Sequence, residues 1–196
     1  MNKSLYVKYM VSLRCKLIVR EELSKLNINY YISINGAISF LETVTQHRLD
    51  ELDRNLKKSG MELLDSSDSV LIDKITNTIA ELIHDSKKLP RSTYSEIIKE
   101  NFSADNGVIL SVFSDVKGMS LIQYIVLQKI ERIKELLLYE EMSLQEISDR
   151  LNYKSKNLLV AQFKNYTGLS PDYYIALKQE RNTLCEKNAP YKRQLN

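Results

Sequence analysis

Between residues 154 and 166 the chain reads KSKNLLVAQFKNY. Lys154, Ser155, Lys156, Asn157 and Lys164 are cationic or neutral-polar, and no Asp or Glu stands among them. Ammonium groups pair with phosphate oxygens, while hydroxyls and amides hydrogen-bond to phosphates and base edges. A carboxylate in their midst would repel both kinds of partner. The chemistry that suits this run is contact with a nucleic-acid duplex. Nothing comparable exists for catalysis: there is no glycine-rich phosphate loop, no Ser/His/Asp set in a supporting context and no cluster with metal-ligand spacing. His47 and His84 stand alone, and the carboxylates are spread along helical faces beside lysines. The expectation is a chain without enzymatic activity, cofactor or metal.

Charge distribution agrees with that reading. The formal net charge is only +3 over 196 residues. From Asn152 onward, however, eight Lys or Arg (154, 156, 164, 178, 181, 187, 192, 193) outnumber three acids (172, 180, 186). A positive C-terminal third leans towards a polyanion, and residues 184–196 read as a basic tail. Cys15 and Cys185 lie far apart and suggest no disulfide framework. No apolar run reaches the length of a membrane span and no signal-peptide core opens the chain, so no membrane and a cytoplasmic location are expected.

The elements that would position the basic run come from an internal repeat. FSDVKGMSLIQYI at 113 and FKNYTGLSPDYYI at 163 share Phe, Gly, Ser, Tyr and Ile at the same spacing. Laid without gaps, 93–127 over 143–177, the copies agree at eight positions, where average residue frequencies give about two. Thr93-x-x-Glu96 and Ser143-x-x-Glu146 read as capping boxes that start a short helix. A polar turn comes next, then a second helix, capped by Ser155 in one copy and by Ser103 or Asp105 in the other. Gly118 and Gly168 terminate these second helices, which span about 103–112 and 155–166. Ser120 and Ser170 each cap a further helix, with Pro171 at a first helical position. Helix, tight turn and helix is the helix-turn-helix arrangement, whose second helix fits a major groove. Between the copies, 119–141 reads as one long helix with Ile122, Ile125, Val126, Ile130, Ile133, Leu136 and Leu137 facing inward. Such a helix would hold the two motifs in register for neighbouring groove segments about 34 Å apart.

The first third has another texture. LYVKYM alternates as a strand, and LRCKLIVREELSKL continues as a helix with Leu17, Ile18, Leu23 and Leu26 at helical spacing. NYYISI and AISFLE flank Asn35-Gly36, a type I′ hairpin signal. A helix at 45–60 with Leu49, Leu52 and Leu56 on one stripe leads to a last strand, MELLD. The order βαββαβ predicts an α+β, ferredoxin-like domain over 1–66. LDSSDS at 64–69 reads as a boundary, and SVLIDKITNTIAELIHDS opens an all-α double helix-turn-helix domain over 68–183.

On these residues, 70–181 resembles the DNA-binding domain of AraC/XylS-type bacterial transcription regulators. The marks are KIERIKELL, SLQEISDRLNY and QFKNYTGLSPDYY, the last carrying Phe163, Lys164, Gly168, Ser170, Pro171 and Tyr174 of the family's F-K-x-x-x-G-x-S/T-P-x-x-Y/F run. The resemblance implies base contact from Lys156, Asn157, Val160 and Ala161 in the second copy. In the first it implies contact from Asn106, Gly107, Leu110 and Ser111. The family's usual Gly in the second turn is Asn152 here, and a common Arg of the second recognition helix is Ala161. The N-terminal part is similar to heavy-metal-associated domains, but the M-x-C-x-x-C run is met by Met10-Val11-Ser12-Leu13-Arg14-Cys15, with Ser12 in place of the first cysteine. One thiol supplies half of that soft-metal site.

The expectation is therefore a sequence-specific DNA-binding regulator of transcription. Its partners would be double-stranded DNA, RNA polymerase, and a small molecule or protein at the N-terminal domain. Backbone contacts are expected from Ser143, Lys154, Ser155 and Lys164. The rival is a protein- or metal-binding adaptor whose helix-turn-helix folds no longer bind DNA.

Overall fold

The computed structural model describes residues 4–33, 36–84, 96, 106–140 and 142–188, with the side chains of Asn106 and of 182–188 left aside. The first copy's capping box at Thr93 and its caps at Ser103 and Asp105 lie outside these residues. The chain gathers into two compact units, one of residues 1–79 with 92–125, the other of 80–91 with 126–196. Each copy of the repeat thus centres in a different unit.

In the first unit, one extended run is divided at Tyr6 into β1 (Ser4–Leu5) and β2 (Val7–Lys8). β1 pairs antiparallel with β4 (Ile38–Phe40), which pairs with β3 (Tyr30–Ile32); β2 pairs antiparallel with β5 (Glu62–Leu63). Helices α1 (Leu13–Lys25) and α2 (Gln46–Lys57) begin at Ser12 and Thr45, whose hydroxyl oxygens accept the orphan amides of Cys15 and Arg48. They bury Val19 and Leu23, and Leu49, Leu52 and Leu56, against Leu5, Val7, Ile38 and Phe40. Leu17, placed on the inward stripe by spacing, is an exposed residue instead, because Val19 and Leu23 at i and i+4 define the buried face.

The hairpin is not the two-residue type I′ turn. Tyr30 faces Phe40, and the Ser33 amide donates to the Ala37 carbonyl at 2.9 Å, which leaves three residues in the loop. The Gly36 amide donates back to the Ser33 carbonyl, and Gly36 takes φ +85°, which suits a residue without a Cβ. Asn35 itself lies outside the described residues.

The expected boundary at 64–69 is the start of α3 (Ser66–His84). Asp65 accepts from the Asp68 amide at 2.8 Å and from the Ser67 hydroxyl at 2.7 Å, and the Asp68 amide holds its carboxyl below the usual range. Tyr6 fastens α3 to the sheet: its amide donates to Ser69 Oγ and its hydroxyl donates to Asp73 at 2.7 Å.

The helical remainder comprises α4 (Asn106–Lys117), α5 (Leu121–Tyr139), α6 (Leu144–Arg150), α7 (Lys156–Thr167) and α8 (Pro171–Asn188). The repeated phrase has the same role twice. Phe113 and Tyr124 pack edge to face at 5.3 Å, as do Phe163 and Tyr174 at 5.5 Å. Gly118 and Gly168 end α4 and α7 at φ +66° and +76°, a region open to glycine without a Cβ clash. α5 departs from expectation at Ile122, which is 69% exposed. Its buried stripe instead begins at Leu121 and continues through Tyr124 and Ile125, three and four residues on.

Candidate nucleic-acid interface

The second copy is built around the turn between α6 and α7. Ser143 and Glu146 form the expected capping box: the Glu146 amide donates to Ser143 Oγ, and the Ser143 amide donates to the Glu146 carboxylate at 2.8 Å. The Ser143 hydroxyl also donates to that carboxylate, at 2.6 Å, and these bonds hold Glu146 below its usual pKa. At the other end Asn152 takes φ +51°, a left-handed conformation that Asn tolerates better than most residues.

The turn is pinned from α5. Lys129 Nζ donates to the Leu151 carbonyl at 2.8 Å, one of the orphan acceptors of the α6 C-terminus, and sits 4.8 Å from the centre of the Tyr153 ring. Burial pushes this ammonium down to about 8. The Tyr153 hydroxyl donates in turn to Gln162 of α7. A charged bridge adds to this: Glu140 accepts from Arg132 at 2.8 Å and from Arg150 at 2.9 Å, tying α5 to α6. Helix α7 then begins at Ser155, whose Oγ accepts from the Leu158 amide at 3.3 Å. Its own hydroxyl hydrogen has no partner among the described residues, whereas that of Ser143 is engaged by Glu146.

α7 buries Leu159 and Phe163 and turns the opposite face to solvent. On that face Asn157, Ala161 and Asn165 stand in one row at i, i+4 and i+8, all exposed. Neither amide has a hydrogen-bond partner among the described residues. Leu158, 51% exposed, lies beside the row. Lys154, Lys156 and Lys164 are exposed around it, and no acid interrupts residues 151–166. At about 100° per residue, Lys156 is about 140° around the helix from Ala161, on the flank rather than in the row. Val160 is half-buried.

The residues expected from the sequence therefore do not all share one face. Lys154, Ser155, Asn157, Ala161 and Lys164 come together on the exposed side, and Lys156 and Val160 stand to its edge. Sequence reasoning passed over Leu158 and Asn165, although the helical spacing from Asn157 and Ala161 places them beside those residues. Also passed over was a shallow concavity of about 440 Å³ flanking the row, lined by Tyr153, Lys154, Leu158 and Tyr166 among others.

α4, in the first copy, is of different character. Gly107, Leu110 and Ser111 are exposed as expected, with Val108 59% exposed beside them. No Lys or Arg occurs between Asn106 and Val116. The C-terminal end of α4 is docked within its own unit: the Asp115 carbonyl accepts from the Tyr9 amide at 2.7 Å. Lys117 lies over the rings of Tyr6 and Tyr124 at 4.8 and 5.9 Å, and burial pushes it down to about 8. At the positions equivalent to Asn165 and Thr167, the Asp115 backbone and the Lys117 side chain are thus engaged in packing here.

At the N-terminal end of α1, Ser12 Oγ lies 3.1 Å from Cys15 Sγ, a contact that lowers the pKa of the half-buried thiol. Among the described residues no group of three His, Cys, Asp or Glu side chains is arranged to hold a metal ion. Nor is any single described helix long and apolar enough to cross a membrane.

Residues 108–176 match the model of a family described as a helix-turn-helix domain. The melibiose operon regulatory protein of Escherichia coli K12 is 22% identical over 153 residues, 71% of this chain and 50% of its own length, and its counterpart in strain O6:H1 matches equally. The chain thus spans about half the length of the curated relatives it matches. Similar solved structures include the C-terminal domain of AraT, a response regulator from Geobacillus stearothermophilus, 20% identical over 55% of this chain and 84% of that one, with a TM-score of 0.48. Another is the DNA-binding domain of AdpA, a global transcriptional factor, in complex with a target DNA, 18% identical over 56% of this chain and 94% of that one, with a TM-score of 0.49. The matched stretch takes in both glycine stops, the pinned turn and the exposed row of α7, so the residues that build this surface are the ones that resemble a helix-turn-helix domain.

Proposed function

We propose that this chain is a sequence-specific DNA-binding regulator of transcription that inserts α7 into the major groove. The observation that carries the reading is the solvent face of α7: amides and small side chains in a central row, lysines around it, and no acid within reach along the helix. In this arrangement Asn157 and Ala161 face base edges, while Lys154, Ser155, Lys156 and Lys164 bond phosphates. Lys156 moves from the base-reading role to the phosphate role because it flanks the row, and Val160 supports the row from its half-buried position. Ser155 can donate its hydroxyl to a phosphate. Ser143 contributes only through the position of its helix start, since Glu146 engages its hydroxyl. In the first copy, Asn106, Gly107, Leu110 and Ser111 give a weaker, uncharged contact.

The N-terminal residues 1–66 form, on this reading, a ferredoxin-like domain that binds an effector or protein. Support comes from the strand arrangement, with the β1–β2 run between β5 and the β4–β3 hairpin and all pairs antiparallel. RNA polymerase is the further partner such a regulator in the cytoplasm would engage. A salt titration of the full chain on duplex DNA tests the central claim. Affinity falls steeply with salt, by roughly 0.9 of log–log slope per phosphate contacted. Absence of duplex binding at low salt would overturn it.

A further inference from the structure

We propose that α7 is built to select A·T pairs: Asn157 and Asn165 read adenine, and Ala161 with Leu158 receives the thymine methyl. This deepens the DNA-binding reading and rests on it. In the major groove, guanine offers two acceptors, which a guanidinium or ammonium satisfies best. Adenine offers one acceptor and one donor side by side, and a carboxamide, with one of each, matches them. The outward row of α7 holds two carboxamides and no cation. Both are exposed and without hydrogen-bond partners among the described residues, so neither must break a bond to reach a base. All three lysines of the helix region stand around this row and are matched to phosphates.

The apolar part of the face has its own match. Thymine's C5-methyl is the one apolar group that a base edge shows in the major groove. Ala161 sits between the two amides and is small enough to let the helix approach. Leu158 and Tyr166, 51% and 46% exposed, extend an apolar surface from it into the shallow concavity. Set against a cytosine amino group, the same surface would strip that amine of water without replacing the hydrogen bond. Asn157 and Asn165 lie eight residues apart, about 12 Å along the helix, or three to four base-pair steps of 3.4 Å. α4 accords with this chemistry, since it carries no Lys or Arg between Asn106 and Val116 and exposes Val108.

The test titrates the full chain, at one fixed moderate salt, against four labelled duplexes of about 30 base pairs: alternating A·T, the same with deoxyuridine for thymidine, alternating I·C and alternating G·C. Inosine keeps guanine's major-groove acceptors but lacks its minor-groove amine, so I·C isolates major-groove reading. The A·T duplex is expected to bind at least about fivefold more tightly than I·C and G·C, from one well-made amide–adenine pair. Loss of the methyl in the uridine duplex weakens binding severalfold. The double substitution Asn157→Ala and Asn165→Ala lowers A·T affinity until only the severalfold advantage of the methyl over I·C remains, and it leaves I·C unchanged. Alanine favours a helix, so that variant keeps its fold. Equal binding of A·T and I·C, a preference for I·C or G·C, or indifference to the methyl overturns the proposal while leaving DNA binding intact. Failure to bind any of the four at low salt overturns the DNA-binding reading, and this proposal with it.

Discussion

Gly118 and Gly168 fill the same place in the two copies of the repeat, at φ +66° and +76°, yet replacing each by alanine should have unequal effects. A left-handed conformation costs a residue with a Cβ roughly 1–2 kcal/mol. The stiffer unfolded chain offsets part of that, by about 0.4–1 kcal/mol. At Gly168 an added Cβ meets no atom within 4 Å, so Gly168→Ala should lose only about 1 kcal/mol. At Gly118 the same Cβ would lie 2.3 Å from Val11 Cγ1 and 3.0 Å from Val11 Cβ. Valine is stiff at χ1 and cannot swing clear without moving its backbone, so overpacking adds about 1–3 kcal/mol, for a total near 2–4. Urea unfolding followed by circular dichroism gives both losses, read as shifts of midpoint at constant slope. Val11→Ala should recover most of the excess in the Gly118→Ala background and nothing in the Gly168→Ala background. Equal losses at the two glycines, or no recovery on trimming Val11, would refute the packing of the Tyr9–Val11 segment on the end of α4.

Replacing Lys154 or Lys164 by alanine should lower the salt slope of duplex binding by about 0.9 each, and an unchanged slope would remove that residue from the phosphate contacts. Lys117 and Lys129 are held near 8 when folded, below the unfolded lysine value of about 10.4. Between those values the unfolded chain keeps protons that the folded one releases, so stability should rise from pH 8 to 10, by up to about 1.4 kcal/mol per pH unit for each lysine. Lys129→Met should roughly halve that rise in urea unfolding across the window, leaving the share of Lys117. Above pH 10 the trend reverses, because burial raises Tyr6 and Tyr124 and their unfolded counterparts ionise first. At the left-handed Asn152, glycine should be neutral or stabilising by up to about 1 kcal/mol and valine should lose about 1–2, as thermal unfolding would register.

Much of the scaffold was legible in residue order because its determinants are local. Capping at Ser143 and Ser155, left-handed stops at Gly118, Gly168 and Asn152, and the buried Phe163 follow from chemistry within a few residues of each position. Where two local patterns compete, residue order alone does not decide between them. Ile122 looked like the start of an inward stripe, but Leu121 is the residue that continues to Tyr124 and Ile125. Asn35-Gly36 suggested a two-residue turn, but strand register set a three-residue one.

The candidate site shows the same division. A basic run without acids and a repeated stop phrase single out the second copy as the one proposed to face DNA, since charge and helical period are properties of the sequence. Which side chains stand in the row was decided by packing: Leu159 and Phe163 are buried, and that alone turns Asn157, Ala161 and Asn165 outward and moves Lys156 to the flank. The lysine that pins the turn, Lys129, is separated from Leu151 by 22 residues and carries no mark that distinguishes it from the solvated lysines of its helix. The different fates of the two copies were likewise a tertiary matter. Their phrases encode the same helix, stop and aromatic pair, but only the first meets Tyr9 and Val11. Sequence by itself determined the local conformations and the charge of the α7 surface. Which of those surfaces stays open depends on contacts between distant residues, and hydrophobic burial chooses them only once the whole chain has packed.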